Sequence, residues 1–382
     1  MTKHSNVGLT GNTQLDRIRK RSQEHPDTVF NNLGHMISAS FLTEIYKQLD
    51  GNKAVGIDGI TKEKFGESLE ENIENLVHEI RRGRYRSKAT RIVEIPKEDG
   101  SLRPLAISCF RDKIVQNATA KILEQIYEPV FLEASFGGRP GRNCHQALRS
   151  LMRHANRYKD GATVEIDIRK YFNSIPHGLL EMFLRKKISD KRFLRLIITL
   201  TRAPTMIGEK EMENELGCPQ GSIISGILAN IYLHYVIDGW FEAIKKSHFG
   251  GEAEMVRYVD DLVFVFKRPR DAEVFYRVLP KRLAKYGLQL HEEKSQIIPS
   301  GHIAAERANK QGKKIKIYNF LGFECYWGKE REGKWWRLKY KSRQDRFKAT
   351  LNSIRQYMRK NLNVSGTDEF LKGVVRIVNG WI

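Results

Sequence analysis

The feature that most constrains this chain is a pair of adjacent carboxylates, Asp260 and Asp261, inside the otherwise apolar run from Met255 to Phe266. A buried carboxylate must be solvated or paired, and two neighbours repel each other, so an uninterrupted core strand through this run is costly. A tight hairpin with both acids at its tip would expose them, and divalent metal would neutralise them. The alternative is a solvated turn that carries two acids by chance.

A second run repeats the anomaly, because Asp167 lies between Ile166 and Ile168 in the stretch from Val164 to Ile168. Three carboxylates on neighbouring strands can hold two Mg²⁺ ions about 4 Å apart, one activating an attacking hydroxyl and one stabilising a leaving pyrophosphate. An ordinary strand-end aspartate remains open for Asp167 taken alone.

The surrounding pattern predicts an α+β body with a mainly antiparallel sheet. Apolar residues recur at helical spacing from Phe41 to about Arg82, with a glycine-containing turn at Val55 to Gly59. The stretch RIVEIPKEDGSLRPLAI alternates on both sides of Glu98-Asp99-Gly100 and predicts a hairpin flanked by Lys97 and Arg103. Helices are expected over Lys113 to Phe131, Cys144 to Tyr158 and, as one buried rod, Ser222 to Ile244, with a loop at SFGGRPGRN. Strands are expected in MVRYVDDLVFVF and around LQLHEEKSQII, and a helix from Lys341 onward with Phe347, Leu351, Ile354 and Met358 on one face. Residues 1–28 read as an arm followed by a short helix.

Charge narrows the partners. The formal charge is +21, from 66 Lys plus Arg against 45 Asp plus Glu, which points first to a polyanion, and nucleic acid leads. No apolar run approaches bilayer length and the N-terminus lacks the core of a signal peptide, so no membrane partner is expected and the chain reads as cytoplasmic. Cys109, Cys144, Cys218 and Cys325 form no C-x-x-C pair, which speaks against a zinc site or a disulfide framework.

These residues also carry a resemblance. Tyr258-Val259-Asp260-Asp261 looks like the Y-x-D-D signature of reverse transcriptases. The blocks AVGIDGIT, LRPLAI, SFGGRPGR, EIDIRKYFNSIPH, GCPQGSIISGILANIYL, RYVDDLVF, GLQLHEEKS and FLGF follow that family's order over about residues 50 to 325. The sequence most resembles the reverse transcriptases of bacterial group II introns and their free-standing relatives. That resemblance implies a right-hand polymerase: an N-terminal extension over residues 1–40, fingers with part of the palm over 41–160, an antiparallel-sheet palm over 161–328, and a short helical, maturase-like thumb over 329–382.

It implies roles as well. Asp167 and Asp260 would be direct metal ligands, with Asp261 at the site edge and the backbone carbonyl of Ile168 completing the set for two Mg²⁺ ions, which Mn²⁺ can replace. Phe172 would be a steric gate beneath the sugar of the incoming nucleotide, favouring dNTP over NTP. Lys97 and Arg103 would grip the triphosphate, Gln220 and Gly221 would lie against base and template, and Lys294 would stand near the phosphates and could protonate pyrophosphate. Arg139 and Arg142 would contact template phosphates, and Tyr258 and the turn at Leu321 and Gly322 would contact the primer–template. The run KWWRLKYKSRQDR suits either a duplex grip or a packed strand with a basic face.

Two departures stand out. Gly226 occupies a place where many relatives carry proline, and the sequence stops at Gly380-Trp381-Ile382 where intron-encoded relatives continue into DNA-binding and endonuclease regions. Either the sequence is cut short or the chain is free-standing, and in both cases the expectation is an RNA-directed DNA polymerase that copies an RNA template from a DNA or RNA primer and binds a structured RNA. The rivals are an RNA-dependent RNA polymerase, an intron maturase acting as a splicing cofactor, and an antiphage-defence enzyme copying a dedicated non-coding RNA.

Overall fold

The computed structural model describes residues 13–96, 102–207, 210–330, 333, 335–362 and 366–381. Strands β1 (Thr90–Pro96) and β2 (Leu102–Ile107) form the expected antiparallel pair, with Ile95 opposite Arg103. The tip between them, including Lys97, lies outside the described residues. Strand β3 (Gly161–Ile166) starts the central sheet, while β4 (Thr205–Ile207) and β5 (Lys210–Met212) extend the first sheet beside β1. Strands β6 (Ala253–Tyr258), β7 (Asp261–Phe266) and β8 (Gln296–Ser300) join β3 in a fully antiparallel sheet of order β6-β7-β3-β8. A third sheet holds β9 (Tyr318–Phe320), β10 (Phe323–Lys329) and β11 (Trp336–Ser342).

The continuous apolar run of β7 is explained by what it separates. Successive strand side chains point to opposite faces. Leu262, Phe264 and Phe266 enter the larger hydrophobic core, where the Phe264 ring lies 4.5 Å from Phe275 and 4.9 Å from Phe241. Val263 and Val265 enter a second core with Phe136, Leu148, Val256 and Ile298. A strand buried on both faces has no polar face to show.

Several expectations shift in detail. The helix expected from Lys113 runs from Phe110 to Tyr127 and is buried nearly all round, passing through the larger core. The helix Cys144–Arg157 appears as read, opened by a capping box between Asn143 and Gln146. The single rod expected over Ser222 to Ile244 is instead Ser225–Leu233, a π-helical turn at His234–Asp238, and Gly239–Ser247.

The short helix expected within residues 1–28 is Thr13–Glu24, and it is docked: Leu15 and Ile18 are buried against the helix Phe110–Tyr127, and the Ser22 hydroxyl donates to the Ile126 carbonyl at 2.6 Å, while residues 1–12 lie outside the described residues. The larger core draws on residues from both sides of residue 160, from Leu15 to Phe131 and from Ala162 to Leu288. At the other end, helices Gln344–Asn361 and Thr367–Trp381 pack on each other, with the Tyr357 and Phe370 rings stacked at 6.0 Å. The basic-aromatic run belongs mostly to β11, where Leu338 is buried and Arg337 is exposed.

Candidate active site

The three aspartates converge by strand register. Tyr258 pairs with Asp261, so Val259 and Asp260 form a two-residue turn between β6 and β7. Ile166 pairs with Leu262, which sets Asp167, one residue beyond β3, next to Asp261. Asp261 lies on the same face of β7 as Val263 and Val265, and Asp167 on the same face of β3 as Glu165, so the acids share one side of the sheet. The strand expected through Asp167 stops at Ile166, because the chain leaves the ladder there to form an isolated bridge between Ile168 and Leu290.

That bridge fixes Asp167 from its backbone. The His291 N–H donates to the Asp167 carbonyl at 2.9 Å, the Arg169 N–H donates to the Gln289 carbonyl at 2.8 Å, and the Asp167 N–H donates to the Ser295 hydroxyl at 3.1 Å. The Ile168 carbonyl accepts in none of these bonds, while its side chain is buried. Lys294 is exposed on the same short turn as Ser295.

Electrostatics record the crowding. Asp260 is raised above the usual carboxylate range, first by burial and then by Asp167, with Arg103 and Arg257 opposing. Asp261 is pushed up to about 7, first by burial and then by Asp260, Asp167 and Glu165. Asp261 is itself exposed to solvent, which moderates this repulsion without removing it. Among the described residues no three His, Cys, Asp or Glu side chains already stand close enough to hold a metal ion. The donor set nonetheless suits a hard cation, since it is all oxygen and its charges repel one another.

Other expected residues gather round this cluster. Arg103, exposed on β2, is felt by both Asp260 and Asp261. The Ala106 N–H donates to the Gln220 carbonyl at 2.7 Å, and a Cβ on Gly221, whose φ is 105°, would stand 3.0 Å from the Ala106 carbonyl. The Pro219–Gly221 turn is thereby pinned to the strand carrying Arg103. The Cys218 N–H donates to the Phe172 carbonyl at 2.7 Å. Of the two adjacent rings, Tyr171 is fully buried with its hydroxyl donating to the Ala229 carbonyl, whereas Phe172 keeps an open face.

Arg139 is a different matter. All five of its N–H donors are spent inside the protein, on the Glu128 carboxylate and on the carbonyls of Glu128, Leu132 and Ser135, and it is 7% exposed. A guanidinium so committed has no donor left for a template phosphate, so its role is to shape the glycine-rich loop. Arg142 bonds Glu133 at 2.7 Å and lies over the Phe136 ring near the surface. Leu321 and Gly322, with φ of 52° and 83°, form the two-residue turn between β9 and β10, where Leu321 and Tyr258 both pack against the second core.

One part of the site escaped the sequence reading. Arg257 is fully buried and clamps Asp238 with two bonds of 2.8 and 2.6 Å, donates to the Asn230 side chain at 2.8 Å, and holds the Val259 carbonyl at 3.0 Å. Asn230 in turn donates to the Gly137 carbonyl at 2.8 Å. A Cβ on Gly137 would come within 2.6–2.8 Å of Tyr258 and Val259, so only glycine lets the loop touch the β6–β7 turn. The available signal was a lone arginine in one apolar run and a lone aspartate in another, each needing a partner.

Comparison with known proteins bears on this arrangement. Residues 95–325, more than half of the chain, match the family described as reverse transcriptase (RNA-dependent DNA polymerase). A group II intron-encoded protein, LtrA, of Lactococcus lactis is 37% identical over 224 residues, covering 58% of this chain and 37% of its own length. The protein YkfC of Escherichia coli is 35% identical over 212 residues, 54% of each chain. An uncharacterized 91 kDa protein in a cob intron of Schizosaccharomyces pombe is 36% identical over 239 residues, 61% of this chain and 29% of its own. The matches thus span from under a third to about half of these relatives. With its antiparallel central sheet, paired carboxylates at a hairpin tip and a family match over most of that body, the chain belongs to the reverse transcriptases, is similar to those encoded by group II introns, and has their right-hand polymerase fold.

Proposed function

We propose that this protein is an RNA-directed DNA polymerase that adds dNTPs to a primer 3′-hydroxyl on an RNA template, with pyrophosphate leaving. The observation that carries the reading is the convergence of Asp167, Asp260 and Asp261 at the β6–β7 turn end of the central sheet, with Asp260 and Asp261 both raised by burial and by neighbouring acids.

The family depends on divalent metal, and here Asp167, Asp260 and the Ile168 carbonyl would hold Mg²⁺ with Asp261 at the edge; when bound, the ions supply activation of the hydroxyl and neutralisation of phosphate charge. The chain's own residues supply the positioning. Arg103 and, from the sequence, Lys97 would draw the triphosphate over the acids, and Lys294 would give a proton to pyrophosphate. The open face of Phe172, backed by Gly217 and Cys218, would meet the sugar and disfavour a 2′-hydroxyl. Tyr258, Gly221 and Arg142 line the route of the template, and Leu321 and Gly322 support the primer. By the same reading, residues 41–160 supply most of the fingers, 161–328 the palm and 329–382 the thumb.

The test is dNTP incorporation on a primed RNA template with Mg²⁺, comparing the natural protein with the double variant D260A/D261A. Synthesis that vanishes in the variant supports the reading. RNA binding without synthesis by the natural protein would sink it in favour of a splicing cofactor.

A further inference from the structure

A second basic feature lies away from the acids, in a cavity of about 420 Å³ between two helix ends. Its wall carries Arg81, Arg82, Arg84, Arg192 and Arg195 over the apolar side chains of Ile80 and Leu196. All five arginines are exposed, and none makes a side-chain hydrogen bond or ion pair among the described residues. The acids that could neutralise them are engaged elsewhere. Glu79 pairs with Arg111 at 2.5 Å, and the Asp190 carboxylate accepts from the backbone N–H groups of Gly34, Arg192 and Phe193.

Helix electrostatics explain half of this arrangement. Arg81 and Arg82 end the helix Leu69–Arg81, where cations complement the dipole. Lys191 and Arg192 open the helix Lys191–Thr201, where the dipole by itself would oppose cations and the Asp190 carboxylate caps that end through the Arg192 and Phe193 N–H groups. Five guanidinium groups that share one hollow with no carboxylate paired to them among the described residues repel one another, and a bound anion would relieve that repulsion.

We propose that this cavity is a second RNA-binding site, which clasps closely spaced backbone phosphates of a folded RNA. Guanidinium forks suit phosphate oxygens bidentately. Five charges round one hollow match phosphates converging from two segments, as across the narrow groove of an RNA helix or at a sharp bend. A free nucleotide fits poorly, because the ring on the wall, Tyr85, is buried and its hydroxyl is bonded to Asp112 at 2.5 Å. The assignment rests on the polymerase reading only in choosing RNA among polyanions.

The experiment measures salt-dependent binding of a bulged RNA hairpin, and of a DNA hairpin of the same sequence, with a short primer–template in excess to fill the catalytic cleft. The variants are R81Q/R84Q/R192Q/R195Q and the matching set of lysines. The glutamine set should lose at least about tenfold in affinity for the RNA hairpin and about 3 in the slope of log affinity against log salt, and the lysine set should recover most of that slope. Incorporation on the short primer–template should stay within about twofold; if the natural protein makes no DNA at all, the polymerase reading falls while the binding comparison still reads out. Unchanged affinity and slope in a glutamine set that melts with the natural protein would overturn the proposal. Equal loss for the DNA hairpin would overturn the assignment to RNA.

Discussion

Two hairpin turns in this molecule face the same problem and answer it differently. Each is two residues long, and each places a bulky aliphatic side chain in the left-handed region, Val259 at φ 56° and Leu321 at φ 52°. The Leu321–Gly322 turn has positive φ at both positions, the type I′ pattern, with glycine where the turn wants it. The Val259–Asp260 turn has positive φ only at the first position, the type II′ pattern, where glycine would be the ordinary residue and a β-branched one is strained by about 1–3 kcal/mol. That second turn carries the carboxylates, and it is the one braced from behind by Arg257. Strain is tolerated where the surroundings over-determine the backbone.

The sharpest way to break the comparison is to remove the brace. Arg257→Leu would strand Asp238 as a buried unpaired charge and release the Val259 carbonyl, and a loss of about 3–5 kcal/mol is expected in denaturant unfolding. A companion double variant, R257L/D238L, should lose clearly less than the sum of its single changes. A single-variant loss below about 1 kcal/mol would mean that the turn holds itself.

Acid sharpens the same contrast. His234 stands in the π-helical turn, 3.8 Å from Asp238, and burial holds it down to about 4, well below its ordinary 6.5. Between those values the unfolded chain takes up a proton that the folded one refuses. Stability is therefore complete above about 6.5 and falls as pH drops towards 4, by up to about 3 kcal/mol from this group. His234→Phe should flatten that part of the stability profile, and an unaltered profile would remove His234 from the account.

The acids themselves offer a third test. Asp261→Asn should raise stability at pH 8 by about 1 kcal/mol, because it removes a repulsive charge, while reducing dNTP incorporation at least about a hundredfold. Lower stability at that pH would show that Asp261 is supported by attractions the cluster does not otherwise reveal. The smallest effect belongs to the turn residue: Val259→Gly should change stability by less than about 1 kcal/mol, as relieved strain offsets the freedom gained by the unfolded chain. Incorporation should still slow, because the acids would then sit on a looser support.

What the residues revealed in advance follows from how local each cause is. Asp260 and Asp261 were legible because a carboxylate in an apolar run is anomalous by itself, and the register that brings Asp167 to them follows from alternation along two strands. Arg139 misled because a charge in a Gly- and Pro-rich loop reads as exposed, and its partner Glu128 sits in an earlier turn that nothing local connects to it. Phe172 and Tyr171 could not be told apart by type, since only packing against Ala229 decides which ring is buried. The β6 arginine and the helix aspartate were visible separately, but a contact between residues 238 and 257 depends on helix phase.

Phase is also what the π-helical turn at His234–Asp238 governs. An α-helix rotates about 100° per residue, so one surplus residue in a single wide turn acts like a tooth skipped on a gear. Everything before it keeps its bearing towards the glycine-rich loop, and everything after it is turned to meet the core around Phe241. Deleting one residue there would leave composition and charge almost untouched and still swing Asp238 off its bearing. The turn that carries Asp260 thus depends on a count of residues in a helix it does not belong to, as much as on the chemistry of any one of them.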